Sequence, residues 1–351
     1  MKTMTLCLAA LVAATFLPAQ ADKTAPAQMP NPKTKEHEAL ALLVGNWQVD
    51  CKMKAMPGVK GMDKASETTG AERCELICNG LWLKSTYNST HDGKPCQGMW
   101  LVGWDAIAKT YRAICVSSEE EECVCEMTAG WDEKAKTWTF QGKSPMGEFK
   151  SQYVLKDNDN SIETCWMVGA DGKQTEFMTM TRKRGKPGAA QEASASTDMI
   201  AKEMVPLTQH LGTWTGKVTM TMPGQAASEE TCTETVAKIC NGKWTWSDVK
   251  GQMMGQPFEG HAITGYDTTS KQYVAFWVDS CGQPPMRTSG TYDETKKQFT
   301  FTGPCFDDQG KPATVKQMCS QSDANTRTFT MIMDCPQGKS EMKIAYTRVK
   351  G

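Results

Sequence analysis

The chain has 351 residues, with 39 Lys and Arg against 40 Asp and Glu, a formal net charge of −1 and 39% hydrophobic residues. Near-neutral charge argues against a nucleic-acid binder or a protein that adheres to anionic membranes, and the modest apolar content excludes a bundle of membrane-spanning helices. Only 4 histidines leave little for a histidine-based metal or acid–base site, so no cofactor and no metal are expected, and the length suggests about two domains.

Lys2, the apolar run 6–17 and the small-residue step Ala19-Gln20-Ala21 read as a signal peptide over 1–21. The run is too short for a resident membrane helix, so a secreted or periplasmic protein with no membrane span is expected. Cys7 leaves with the signal, and the other cysteines form an even set, eight before residue 184 and six after 206. In an exported chain that favours disulfides, paired within each half, over thiols or a thiolate metal site. Spacing suggests one bridge, from Cys115 to Cys123 or Cys125 across the acidic run 119–122, and leaves the other pairings open.

Residues 22–35, with three prolines, read as a disordered lead-in. A short helix is predicted over 35–44, followed by alternating strand-like runs to 184. Residues 185–198, rich in Gly, Ala and Ser, form the linker. A second short helix over 199–210 leads into the strand-like runs 213–222, 243–249, 272–280, 298–303, 327–334 and 341–349. Turn signals recur about every ten residues, as in all-β barrels or sandwiches. Asn79-Gly80 and Asn241-Gly242 predict tight hairpins, with Ile77 facing Trp82 and Glu75 opposite Lys84. Asp105 and Asp267 are expected to cap turns, with Lys109 and Lys271 opening the next strands.

The chain is written twice. Residues 43–47 match 210–214, 77–82 match 239–244, 103–111 match 265–273, and 132–142 match 293–303. Thr181-Arg182 is set against Thr347-Arg348, and the order holds across about 145 residues, too long for solenoid units. The domains are therefore 36–184 and 199–351.

Gly45-Asn46-Trp47 with Arg182, and Gly212-Thr213-Trp214 with Arg348, resemble the calycin barrels, which include lipocalins and fatty-acid-binding proteins. The resemblance implies that each Arg closes the barrel over its Trp and binds nearby carbonyls, a stacking and fork geometry suited to guanidinium. The runs 253–280, 290–304 and 341–348 resemble, more specifically, an uncharacterised and often secreted bacterial domain of unknown function with a calycin-like barrel. The fold expected is all-β: two tandem antiparallel calycin-like β-barrels with short N-terminal helices. That family brings no activity, and an enzyme is not expected.

Several candidate residues also have plainer roles. Asp105, Asp267, Lys109, Lys271, Tyr111 and Tyr273 suit turns and strand ends. Among His37, His91, His210 and His261, His261 lies on a strand and is the one placed toward an interior, where a nitrobindin-like haem role is disfavoured against packing. Met178 and Met180, Met220 and Met222, and Met331 and Met333 recur at strand spacing and suit a soft apolar lining better than a Cu(I) site. Glu119 to Glu122 reads as a solvated loop and 157–161 as a hairpin turn lacking calcium-loop spacing. Asn88-Ser89-Thr90 is a glycosylation sequon only in a eukaryotic host. The binding residues expected are Trp82, Trp244, Met220, Met222, Met331, Met333 and His261, around a small apolar ligand. The alternative is a structural or interaction module of the cell envelope with filled barrels and no ligand. Oligomeric state is not legible.

Overall fold

The computed structural model describes residues 32–58, 63–91, 93–119, 124–144, 147–185, 201–224, 226–253, 255–307, 310–335 and 338–350. The stretch expected to be a signal peptide, most of the lead-in, the linker beyond Gly185, Cys123 and most of the acidic run lie outside them.

Each repeat closes into a ten-stranded antiparallel barrel of consecutive hairpins. In the first, Gly45–Met53 pairs with both Ser66–Ile77 and Gln174–Arg184, which closes the cylinder. In the second, Gly212–Thr221 pairs with Ser228–Ile239 and Gly338–Arg348. Closure removes the exposed sheet edges that would otherwise template aggregation. A short helix, Glu36–Ala41, precedes the first barrel, and a 3₁₀ turn running into Val205–Thr208 precedes the second. Both lead-ins are pinned by a repeated tyrosine: the Tyr111 hydroxyl donates to the Glu36 carbonyl at 2.7 Å, and Tyr273 to that of Glu203 at 2.6 Å.

The expected turn chemistry is present. Asp105 accepts the N–H groups of Ile107 and Ala108, and Asp267 that of Thr269. Lys109 and Lys271 occupy the left-handed positions that end these turns, so the strands begin one residue later, at Thr110 and Gln272. Ile77 does face Trp82, and Glu75 pairs with Lys84 at 2.6 Å. The loop is longer than a two-residue turn, however, and Cys78, Asn79 and Gly80 all have positive φ, as do Cys240, Asn241 and Gly242. A cysteine in that region costs about 1–2 kcal/mol, and both tips are held there by docking.

The two barrels join through these tips. Ile77, Cys78, Leu81 and Trp82 of the first pack in one apolar cluster with Cys240, Trp244, Trp246 and Ile263 of the second. The Asn241 N–H donates to Gln97 Oε1 at 2.9 Å, and its side-chain amide to the Pro95 carbonyl at 3.1 Å. Reciprocally, Cys78 approaches Glu259 and Asp279. Each hairpin thus docks on the equivalent strands of the other barrel, the arrangement of an isologous interface within one chain. The Trp at each tip packs over a bare backbone: a methyl at Gly103 would lie 2.4 Å from Trp82, and one at Gly265 2.3 Å from Trp244.

No disulfide joins two of the described cysteines. Cys125 stands directly opposite Cys115 on the paired strand.

Candidate functional site

The interior of the second barrel holds a cavity of about 290 Å³. Strand alternation decides what faces it. Thr245, Ser247 and Val249 point inward, whereas Trp244, Trp246 and Asp248 point outward; Ala262 and Thr264 are inward, His261 and Ile263 outward. The walls are mostly apolar, with Val218, Met220, Phe301, Phe329, Met331 and Ile344 among them.

A polar cluster interrupts this lining. Glu234 is buried, accepts the Ser247 hydroxyl at 2.7 Å and pairs with Arg327. The Arg327 guanidinium lies 4.4 Å from the Tyr346 ring and 4.5 Å from Trp214, and its Nε has no hydrogen-bond partner among the described residues. Burial and the neighbouring Glu234 push the Tyr346 hydroxyl well above its usual pKa, so it stays protonated. His210 faces the same floor, where burial and then Arg327 and Arg348 pull its pKa down to about 3. A neutral His210 meets the edge of Phe299 at 5.6 Å. The floor therefore offers hydroxyl, guanidinium and imidazole groups within an otherwise apolar chamber.

The first barrel builds the same acidic centre from different parts. Buried Glu72 accepts the Ser85 hydroxyl at 2.6 Å, the Trp100 indole N–H at 2.9 Å and Arg182 Nε at 2.7 Å. Burial opposes its charge most strongly, but Arg182 together with the hydrogen bonds from Ser85 and Trp100 outweighs it and holds the carboxyl below the usual range. Arg182 also pairs with Glu163 at 2.9 Å. In register, Arg182 opposes Ser161 on the neighbouring strand, just as Tyr346 opposes Arg327. The interior arginine has changed strands between the copies while its glutamate stayed.

This overturns one expectation. Arg182 does not close the first barrel; Arg184 does. Trp47 lies opposite Arg184, and Trp214 opposite Arg348. Arg184 stacks 4.2 Å from the Trp47 ring and donates to the carbonyls of Val44 and Asn158. Arg348 stacks 4.0 Å from Trp214 and donates to the carbonyls of Leu211, Gln209 and Ala324. The counterpart of Thr347-Arg348 is Lys183-Arg184, not Thr181-Arg182.

Of the other expected residues, Met220 and Met331 line the cavity, while Met222 and Met333 lie outside its lining. Trp82 and Trp244 belong to the junction between barrels, and so does His261, whose ring stacks on Trp246. Met178 and Met180 join a small apolar cluster with Cys165 and Phe177 in the first barrel. Glu234 and Arg327 went unnoticed in the sequence. The signal available was a strand-face position, Glu72 and Glu234, repeated at the 162-residue spacing of the hairpins.

Two closed barrels, each with a Trp stacked by arginine at its closed end, define a tandem calycin-like barrel protein. The family model described as protein of unknown function (DUF1579) matches residues 32–184 and again 201–348, and the chain belongs to that family. No curated protein matches the chain. Among solved structures it is similar to the S-type phycobiliprotein lyase CPES from Guillardia theta, at 9% identity and a TM-score of 0.31 over 41% of this chain and 90% of that one. It is also similar to Rv2717c from M. tuberculosis, at 14% identity and a TM-score of 0.32 over 44% and 99%. A putative outer membrane protein from Bacteroides fragilis is similar at 10% identity and a TM-score of 0.23 over 88% and 99%. These scores add nothing to what strand pairing already establishes.

Proposed function

We propose that the protein is an exported binding protein whose second barrel holds a small, largely apolar ligand. The observation that carries this reading is the chamber of about 290 Å³, apolar in its walls and polar at one point of its floor. Pockets for small molecules span about 300–1,000 Å³, so the chamber suits a compact ligand rather than a long acyl chain or a haem. Met220 and Met331 give the walls a polarizable, adaptable surface. The Arg327–Glu234 pair, Ser247 and the Tyr346 hydroxyl supply the few polar contacts that orient such a guest. The first barrel, with Trp100, Trp138, Phe140 and Tyr153 packed inside it, serves as the docked scaffold. Native mass spectrometry of the full chain from its source should detect a small molecule released on denaturation. A chain that carries none, and takes up none from a panel of compact aromatic and terpenoid probes, would contradict the reading.

Export follows from the leader and the even cysteine set. In an oxidising compartment the fold brings Cys115 opposite Cys125, Cys240 close to Cys96 and Cys78 close to Cys281. The last two pairs cross the junction between the barrels, in contrast to the pairing within each half expected from the sequence. Burial pushes the Cys96, Cys240 and Cys281 thiols up to about 12, so in reduced form they are poor nucleophiles. Non-reducing mass mapping of the exported chain should find bridges among these cysteines, and a fully reduced mature protein would argue against export.

A further inference from the structure

The junction is built twice from the same motifs, but its two ends differ in chemistry. At one end the first barrel presents Thr86, Gln97 and Met99. At the other, the matching strand positions hold Asp248, Glu259 and His261. Three ionisable groups gather where the other copy places three neutral side chains.

His261 is 2% exposed, and its ring lies against Trp246 with centroids 4.8 Å apart, which fixes the imidazole plane. Nε2 stands 3.1 Å from Glu259 Oε1 in hydrogen-bonding geometry. Nδ1 stands 2.9 Å from Asp248 Oδ1, yet neither atom has a hydrogen-bond partner among the described residues. A neutral imidazole carries one N–H and one lone pair. With the N–H given to Glu259, a lone pair faces a carboxylate oxygen at close range, a repulsion that either a second ring proton or a cation seated against both atoms removes.

We propose that Asp248, His261 and Glu259 form a binding site for a divalent transition-metal cation of the zinc class, at the junction of the barrels and separate from the cavity. His261 Nδ1 and Asp248 Oδ1 are the ligands. Glu259 receives the Nε2–H, the carboxylate–histidine arrangement that fixes the tautomer and orientation of a metal-bound ring. Ligand atoms about 2.0–2.2 Å from one ion in tetrahedral geometry stand about 3.3–3.6 Å apart, so the 2.9 Å separation needs to open by only a few tenths of an ångström. The ligand atoms of all three residues lie within 4.8 Å of one another. Asp248 is 39% exposed, giving an ion a route from solvent to an otherwise closed imidazole. Lys84, the cation facing the cluster from the first barrel, is engaged by Glu75 at 2.6 Å and by the Trp246 face at 5.2 Å. Cys78 of the first barrel's hairpin lies among the same carboxylates but is the sulfur set against Cys281 in the oxidised chain, so the remaining coordination positions fall to water.

The first barrel supplies the test, because it shows what the fold tolerates at each position. The full chain is stripped with chelator, loaded with Co²⁺ or Zn²⁺ and desalted, and bound metal is counted. Wild type should retain about one equivalent more than His261→Met, and Asp248→Thr should weaken that equivalent at least tenfold and change the visible Co²⁺ bands. Metal retained equally by wild type and both variants would belong to thiols elsewhere and would overturn the site, as would no retention by wild type. Should His261→Met fail to fold, Asp248→Thr, altered at a half-exposed position, delivers the same count.

Discussion

The two barrels share a frame and differ in what fills it. Trp100 of the first and Ala262 of the second occupy the same place, each paired with the serine that binds the interior glutamate. Trp138 faces Tyr153 across one strand pair, and Phe299 faces Cys319 across the matching pair. Each change exchanges bulk for space, and the cavity of the second barrel sits where that bulk is missing. The comparison teaches that cavity and packed core are alternative endings of one fold, decided by a few inward positions. The frame itself, with the closing Trp–Arg stack, the glutamate–serine pair and the hairpin tips, is indifferent to which ending is chosen.

The largest effect expected comes from the interior arginine. Arg327→Ser leaves Glu234 buried without its partner, and breaking such a pair costs about 3–5 kcal/mol. Adding Tyr346→Arg rebuilds the first barrel's arrangement and should recover most of that loss, read as the urea midpoint of the second barrel. A double variant no more stable than the single one would break the claim that the two clusters are equivalent. Next, Trp100→Ala should cost about 3–5 kcal/mol, as large-to-small core changes do, and should open in the first barrel a space like that in the second. Unchanged stability would show that Trp100 does not hold the first core together. Ala262→Trp should cost less, within the about 1–3 kcal/mol of an overfilled core, because the space exists.

The smallest effect is the part of the pH dependence that His210 gives the second barrel. Leu43 and His210 are counterparts, since their carbonyls accept the Trp47 and Trp214 indole N–H groups. His210 is held neutral to about 3 in the folded chain, whereas an unfolded histidine titrates near about 6.5. Between those values the unfolded state binds more protons, so stability falls as pH drops from about 6.5 toward 3. His210→Leu should flatten that fall for the second barrel, comparing urea midpoints near about pH 7 and about pH 5. An unchanged slope would assign the acid sensitivity to other groups.

Much of the frame was legible because local chemistry enforces it. Asn-Gly tips, Asp-capped turns and alternating strands declare themselves within a few residues, and their repetition fixed the number and order of the domains. The inside was harder to read. A barrel strand has two faces, and alternation alone does not say which is inner. Trp82, Trp244 and His261 were placed inside because aromatics favour interiors, but the outer faces of these strands are buried too, against the other barrel. That second burial follows from the duplication and leaves no pattern within either copy. Glu234 and Arg327 were missed for a related reason: a charge on a strand reads as a solvent face until a counter-charge 93 residues away is known to meet it. Arg182 and Arg184 both sit near the closed end, and only strand register separates the one that closes from the one that points inward.

The most direct test of the account is the binding stoichiometry of a compact apolar fluorescent probe, titrated into wild-type protein and the Ala262→Trp variant. One site in the wild type, lost in the variant while its fold persists by circular dichroism, is the result expected from a chamber in the second barrel. Equal binding by both proteins would place the probe elsewhere and contradict it.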